Sequence, residues 1–298
     1  KMPMLNIGKQ GIEKSFNEFL VGKPGNKEIE VSASGRIIRE ISKKPSVKGN
    51  NLKLSIDTKL QKFSFTRLSS HKAGSIVVMD IKSGEILSIA SFPNFNSNKI
   101  VQQPNKNYWD SLLDNSLSPL IDRSVQGLYS PGSTFKMIVA IAALQKGIIK
   151  LDNKFSCEGK INYGDRIFHC WKTKGHGSMD IQTAIQESCD VFFYNLAIKV
   201  GIDAISEVAK DFGLGQIYNL KIQNQKRGII PSKKWKKENL NESWYGGETL
   251  IAAIGQGYVL TTPLQLAVMT ARIASGGKAV LPIIIKSPQD KNFNSMSK

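Results

Sequence analysis

The run "FKMIVAIAAL", residues 135–144, is apolar at every position but one. A helix with no wet face is either buried or crosses a membrane. The eight apolar residues from Met137 to Leu144 fall well short of the ~20 that a bilayer needs. The run therefore predicts a buried core helix around which the rest of the chain must pack. Pro131 and Gly132 form a turn before it, and Ser133 or Thr134 is placed to cap its start. Gly147 is placed to end it, as a residue just past a helix end often does. The exception is Lys136, on the first turn of this otherwise greasy helix.

Ser133 lies three residues before Lys136, so hydroxyl and amine share a helix face and can meet. A serine is a poor nucleophile until a neighbouring base takes its proton. Lysine can be that base only when neutral. Bringing its pKa from ~10.4 to ~7 means disfavouring the cation by about 4.6 kcal/mol, which burial against apolar surface can do. The spacing alone is weak, because Ser69/Lys72, Ser275/Lys278 and Ser295/Lys298 also show it. Only Ser133/Lys136 has an apolar helix behind it. The plainer alternative is that Lys136 snorkels outward and solvates the helix start.

At 298 residues the chain has room for one large domain or two small ones. The net charge is +17, from 41 Lys and Arg against 24 Asp and Glu. The cations are scattered, with one knot at "KKWKK" (233–237). No zinc-finger spacing, RNP sequence or heptad run accompanies them, so nucleic acid is not an expected partner. The charge reads as a solvated basic surface or as attraction to an anionic one such as membrane or cell wall. No P-loop, His-Glu-x-x-His or Gly-x-Ser-x-Gly occurs, which removes several common chemistries. No stretch has the form of a signal peptide or membrane span. That leaves a cytosolic protein, or one whose N-terminal anchor lies outside this sequence.

Residues 1–50 read as extended and basic, with an amphipathic helix near Gly11–Leu20 and alternating pieces at "KEIEVSAS" and "RIIREI". "LKLSID" is predicted as a strand and "TKLQKFSFTRLSS" as a helix. "GSIVVMDIKSGEILSIASFP" reads as a hairpin turning at Lys82-Ser83-Gly84. A loop-rich part at 92–130 precedes the Ser133 helix. Helical pieces follow at 178–200, 203–213 and 262–275, with strands expected to return near the C-terminus. Strands in front and helices in the middle give an α+β class.

All three cysteines, Cys157, Cys170 and Cys189, fall in one window with His176 among them, at gaps of 13, 6 and 13 residues. Three sulfurs and an imidazole suit tetrahedral Zn²⁺. A Cys157–Cys170 disulfide with Cys189 left as a thiol is the competing reading, and three plain buried thiols is the third.

"LYSPGSTFK", followed some fifty residues later by "IQESCDVFFYNLA", resembles the transpeptidase domain of class B penicillin-binding proteins. "NIGKQGIEKSF", "GSIVVMDIKSGEIL", "DFGLGQ", "GIIPSKKWK" and "AIGQGYVLTTPLQLA" narrow the resemblance to the penicillin-binding protein 2 subfamily, over essentially the whole chain. It implies an antiparallel sheet flanked by helices over 51–298, with a small remnant of an N-terminal pedestal domain at 1–50. Ser133 would be the acylated nucleophile and Lys136 its general base. Ser188-Cys189-Asp190 would stand for the family's Ser-x-Asn, Ser188 relaying a proton to the leaving amine and Asp190 orienting Lys136 and the substrate. The family's Lys-[Ser/Thr]-Gly, which supplies an oxyanion donor alongside the amide of Ser133, is not found after Ser188, where "IIIKSP" holds Lys-Ser-Pro instead. This implies that the matching strand lies outside the sequence and that the piece alone acylates poorly.

The implied activity is peptidoglycan D,D-transpeptidation through a serine acyl-enzyme, serving cell elongation and shape, with β-lactams trapping the same serine. A carboxypeptidase or β-lactamase on the same fold, or a non-catalytic β-lactam-binding module, are the alternatives. Implied partners are stem peptides, β-lactams, a SEDS-family glycan polymerase and elongation-complex scaffold proteins. The implied location is the periplasmic face of the bacterial inner membrane. Some relatives hold a metal at positions matching the cysteine window, which favours a structural Zn²⁺ on Cys157, Cys170, His176 and Cys189.

Overall fold

The computed structural model describes residues 7–102 and 106–286. Ser287, Pro288 and the Ser295/Lys298 pair lie outside the described residues. The chain divides into two compact units, one of residues 1–55, 219–225 and 283–298, the other of 56–218 and 226–282.

In the smaller unit the expected amphipathic helix is two short ones, α1 (Gly11–Ser15) and α2 (Asn17–Leu20), parted at Phe16. The alternating pieces pair antiparallel as β1 (Asn26–Val31) and β2 (Ile37–Lys44). "LKLSID" is not a strand. Leu54 pairs in an isolated bridge to Ile285, and among the described residues no strand follows Ala274, where strands were expected to return.

The larger unit opens with α3 (Thr58–Leu68), whose start is capped by Asp57 accepting from the N–H groups of Lys59 and Leu60 at 2.8 and 3.0 Å. α3 packs on an antiparallel hairpin, β3 (Gly74–Met79) and β4 (Ile86–Phe92). Its tip is Lys82-Ser83-Gly84, where Gly84 has φ +80°. The segment read as loop holds two short helices, α4 (Ser97–Gln102) and α5 (Lys106–Leu113).

The greasy helix is α6 (Lys136–Gln145). Ile138, Val139, Ala140, Ala142 and Ala143 are buried on it, and each large aliphatic contributes about 1.5–3 kcal/mol through burial. Its end is as expected, with Gly147 at φ +63° and its N–H donating to Leu144 O. Its start differs. Gly132–Phe135 form a 3-10 turn, and neither Ser133 nor Thr134 caps α6, because the Thr134 hydroxyl bonds back to Pro131 O at 2.8 Å.

Two small antiparallel pairs follow: β5 (Phe155–Cys157) with β8 (Gly177–Met179), and between them β6 (Lys160–Tyr163) with β7 (Arg166–His169). The helical piece at 178–200 is broken into α7 (Ile181–Gln186) and α8 (Asp190–Val200). α9 (Ile202–Asp211), α10 (Lys233–Leu240), α11 (Gly246–Ala253) and α12 (Pro263–Ala274) complete the unit. α6 packs on α8 and α9, α8 on α11, and α12 on β3.

The knot "KKWKK" lies on α10 and is not simply a solvated face. Lys236 is 1% exposed and pairs with Glu248 on α11 at 2.5 Å and with Glu242 at 3.3 Å. A short-range reading of five residues could not show carboxylates folded over one of them.

Candidate active site

Four side chains meet where the 3-10 turn, α6 and the α7–α8 break converge. Lys136 is 2% exposed. Its Nζ donates to Asp190 Oδ1 at 2.6 Å, to the Ser188 carbonyl at 2.7 Å and to Ser188 Oγ at 3.0 Å. An ammonium has three protons and no acceptor, so these bonds use all of them. Ser188 Oγ donates in turn to Ser133 Oγ at 2.8 Å. Ser133 itself is exposed, so its oxygen is open to an incoming molecule. The direct meeting of Ser133 with Lys136 expected from their spacing is replaced by this chain. Hydrogen bonds run from Lys136 to Ser188 and from Ser188 to Ser133.

Each member is held by backbone geometry. Gly132 has φ +58° and its N–H donates to Gly255 O at 3.0 Å. A Cβ on Gly255 would sit 2.2 Å from Gly132 O, so only glycine permits the approach that sets the turn carrying Ser133. Ser188 has φ +50°, a left-handed conformation that costs a non-glycine residue about 1–3 kcal/mol. The Ser188 carbonyl that receives Lys136 helps to hold it there. Asp190 begins α8, where a carboxylate suits the positive end of the helix.

Beside this site Cys157, Cys170, His176 and Cys189 place their ligand atoms within 4.8 Å of one another. All three cysteines are free thiols. His169, the other histidine of the window, is exposed and takes no part. His176 Nδ1 lies 3.6 Å from the sulfurs of both Cys157 and Cys170. Tetrahedral bonds of about 2.3 Å to sulfur and about 2.1 Å to nitrogen put those atoms roughly 3.6 Å apart, so the residues fit an ion. Gly159 and Gly175 make the crossing possible, since a Cβ on Gly175 would lie 2.1 Å from Cys157 O and one on Gly159 2.0 Å from Thr173 O. Burial pushes the Cys189 thiol well above its ordinary range. At Cys170 burial acts the same way, but N–H donation from Lys172, Val191 and Asp190 outweighs it and brings that thiol below its usual value. Burial and then the Lys172 cation keep the His176 imidazole neutral to lower pH than usual. Nε2 of His176 is buried without a partner.

Sequence reasoning passed over two residues of this region. Trp171, next to Cys170, hydrogen-bonds the Ser188 segment. Phe193 lies under the Lys136 ammonium, 5.7 Å from Nζ to the ring centroid. An aromatic within one window of the cysteines was the available signal for the first; nothing short of the helix phase marks the second.

The model of the penicillin binding protein transpeptidase domain matches residues 74–298, and that of the penicillin-binding protein dimerisation domain matches residues 3–54. Peptidoglycan D,D-transpeptidase MrdA of Acinetobacter baumannii is 39% identical over 94% of this chain and 42% of its own length. The MrdA of Escherichia coli K12 is 33% identical over 95% of this chain and 45% of its own. The chain thus spans less than half the length of these curated relatives. Among solved structures, the complex between penicillin-binding protein 2 and MreC from Helicobacter pylori matches with a TM-score of 0.84 at 34% identity, over 98% of this chain and 56% of that one. Pseudomonas aeruginosa penicillin-binding protein 2 in complex with WCK 5153 matches with a TM-score of 0.83 at 32% identity, over 96% of this chain and 62% of that one.

Proposed function

The chain belongs to the penicillin-binding protein transpeptidase family, and from that premise we propose that it forms the catalytic part of a peptidoglycan D,D-transpeptidase working through a Ser133 acyl-enzyme. The observation that carries this is the unbroken hydrogen-bond string from buried Lys136 through Ser188 to exposed Ser133. In the working form Lys136 gives up one proton, which leaves its lone pair facing Ser188 Oγ. Ser133 Oγ then attacks the carbonyl carbon of the penultimate D-Ala of a stem peptide. The Ser133 proton passes to Ser188 Oγ as the Ser188 proton passes to Lys136. The same string run in reverse delivers a proton to the nitrogen of the departing D-Ala, and an ester on Ser133 remains. A neighbouring stem amine attacks that ester, loses its proton along the string, and restores the Ser133 hydroxyl. A β-lactam carbonyl would be attacked by the same oxygen.

Asp190 balances the Lys136 cation whenever the proton is stored there. Cys157, Cys170, His176 and Cys189 would hold a structural Zn²⁺. Four protein ligands would leave such an ion no open position for substrate, so Cys157, Cys170, His176 and Cys189 would serve to tie the β5–β8 region to the start of α8. The expected setting is the periplasmic face of the inner membrane, in cell elongation, with an anchor, a scaffold protein and a SEDS-family polymerase as partners. One Helicobacter pylori relative is in complex with MreC, which supports the scaffold partner. No described helix of this chain is long and apolar enough to cross a membrane.

The test is product analysis with a pentapeptide donor and an added acceptor amine, using the whole protein. A cross-linked product with release of free D-Ala is expected. Release of D-Ala with hydrolysed tetrapeptide only would replace transpeptidation by the carboxypeptidase reading.

A further inference from the structure

Trp171 has no role in the steps above, yet its surroundings assign one. It is 61% exposed, so the burial of its ring is not what holds it. Its polar atoms point inward instead. The indole Nε1–H is shared between the carbonyls of Glu187 at 3.1 Å and Ser188 at 3.2 Å. Its backbone N–H donates to Asp190 Oδ2 at 3.1 Å, while the other oxygen of that carboxylate receives Lys136. Its ring meets His176 edge to face, with centroids 5.3 Å apart. One residue therefore touches the backbone of the Ser188 turn, the partner of Lys136 and the cysteine–histidine cluster.

The Ser188 turn needs such a hold. Its φ of +50° persists in a non-glycine residue only where the surroundings over-determine it. Rotation there would swing the Ser188 hydroxyl away from Ser133. We propose that Trp171 is a positioning residue for acylation, its Nε1–H pinning the Glu187–Ser188 carbonyls so that the Ser188 hydroxyl stays in reach of both Lys136 and Ser133. The role rests on the serine acyl-enzyme reading and adds to it the residue that keeps the relay in register.

The test replaces one atom. In the whole protein, β-(3-benzothienyl)alanine at position 171 keeps the ring's shape and exchanges N–H for sulfur, and Trp171→Phe is the genetic counterpart. Stopped-flow acylation by a reporter β-lactam separates the non-covalent dissociation constant from the acylation rate constant. The rate constant is expected to fall about tenfold to a hundredfold, the range of a misplaced catalytic group. The dissociation constant, the Tm and the zinc content are expected to stay as in the unsubstituted protein. An unchanged rate constant in both variants overturns the proposal. So does a rate loss that appears only together with a lower Tm or lost zinc, since Trp171 would then act through the cluster alone. An unsubstituted protein that forms no adduct would instead overturn the acyl-enzyme reading itself.

Discussion

Lys136 Nζ and Asp190 Oδ1 lie 2.6 Å apart, with the lysine 2% and the aspartate 14% exposed. The carboxylate comes from the first residue of α8 and the amine from the first residue of α6, so the pair joins the two helices on which the site is built. Removing one partner of a buried pair leaves an uncompensated charge and costs about 3–5 kcal/mol. Asp190→Asn is expected to lower stability toward that range, as read by urea unfolding, and to depress acylation as well. A variant of unchanged stability would show that the pair carries little of the helix packing.

Lys136→Arg keeps the positive charge and the ion pair but cannot act as a base, because a guanidinium does not lose its proton. The variant should fold and show no measurable adduct with a penicillin. Retained labelling at neutral pH would remove Lys136 from the role of base.

Ser188 separates stability from activity. Ser188→Gly relieves the left-handed backbone and removes the hydroxyl between Lys136 and Ser133. The melting temperature should hold while acylation falls about 10²–10⁴-fold, the usual contribution of a positioned proton-transfer group. Equal rates would mean that the proton bypasses Ser188.

Protein purified without added metal should carry one equivalent of zinc, by elemental analysis, on Cys157, Cys170, His176 and Cys189. Chelation should lower thermal stability first and acylation second, since metal binding energy is folding energy. Less than a tenth of an equivalent, with a Cys157–Cys170 bridge in the peptide map, would replace the metal by a disulfide.

The Lys236 amine is held above its ordinary value chiefly by its hydrogen bond to Glu248. A raised folded value means stability that is complete below the unfolded value, about 10.4, and is lost as pH climbs through the raised one. Lys236→Met should lower the Tm at pH 8 and flatten the alkaline end of the stability curve. An identical alkaline limb in the variant would show that the pair contributes nothing there.

What the chain discloses on its own follows the range of each signal. The α6 helix is legible because its apolar run is local, and the cysteine window because three rare residues and a histidine stand close together. The first turn of that helix is not, since the Gly132–Gly255 contact that shapes it joins residues far apart in the chain. Trp171 and Lys236 are hidden for the same reason: one looks like an exposed aromatic and the other like one more surface cation until Ser188 and Glu248 are folded against them. The break between α7 and α8 is equally silent, because a helical pattern runs through it and the left-handed Ser188 and extended Cys189 interrupt it.

The most direct measurement is the intact mass of the whole protein after incubation with a penicillin, followed by tandem mapping of the adduct. One penicilloyl group per chain, located on Ser133 and absent from Ser133→Ala, is the predicted result. An adduct on another residue, or the same mass gain in Ser133→Ala, would contradict the assignment of Ser133 as the nucleophile.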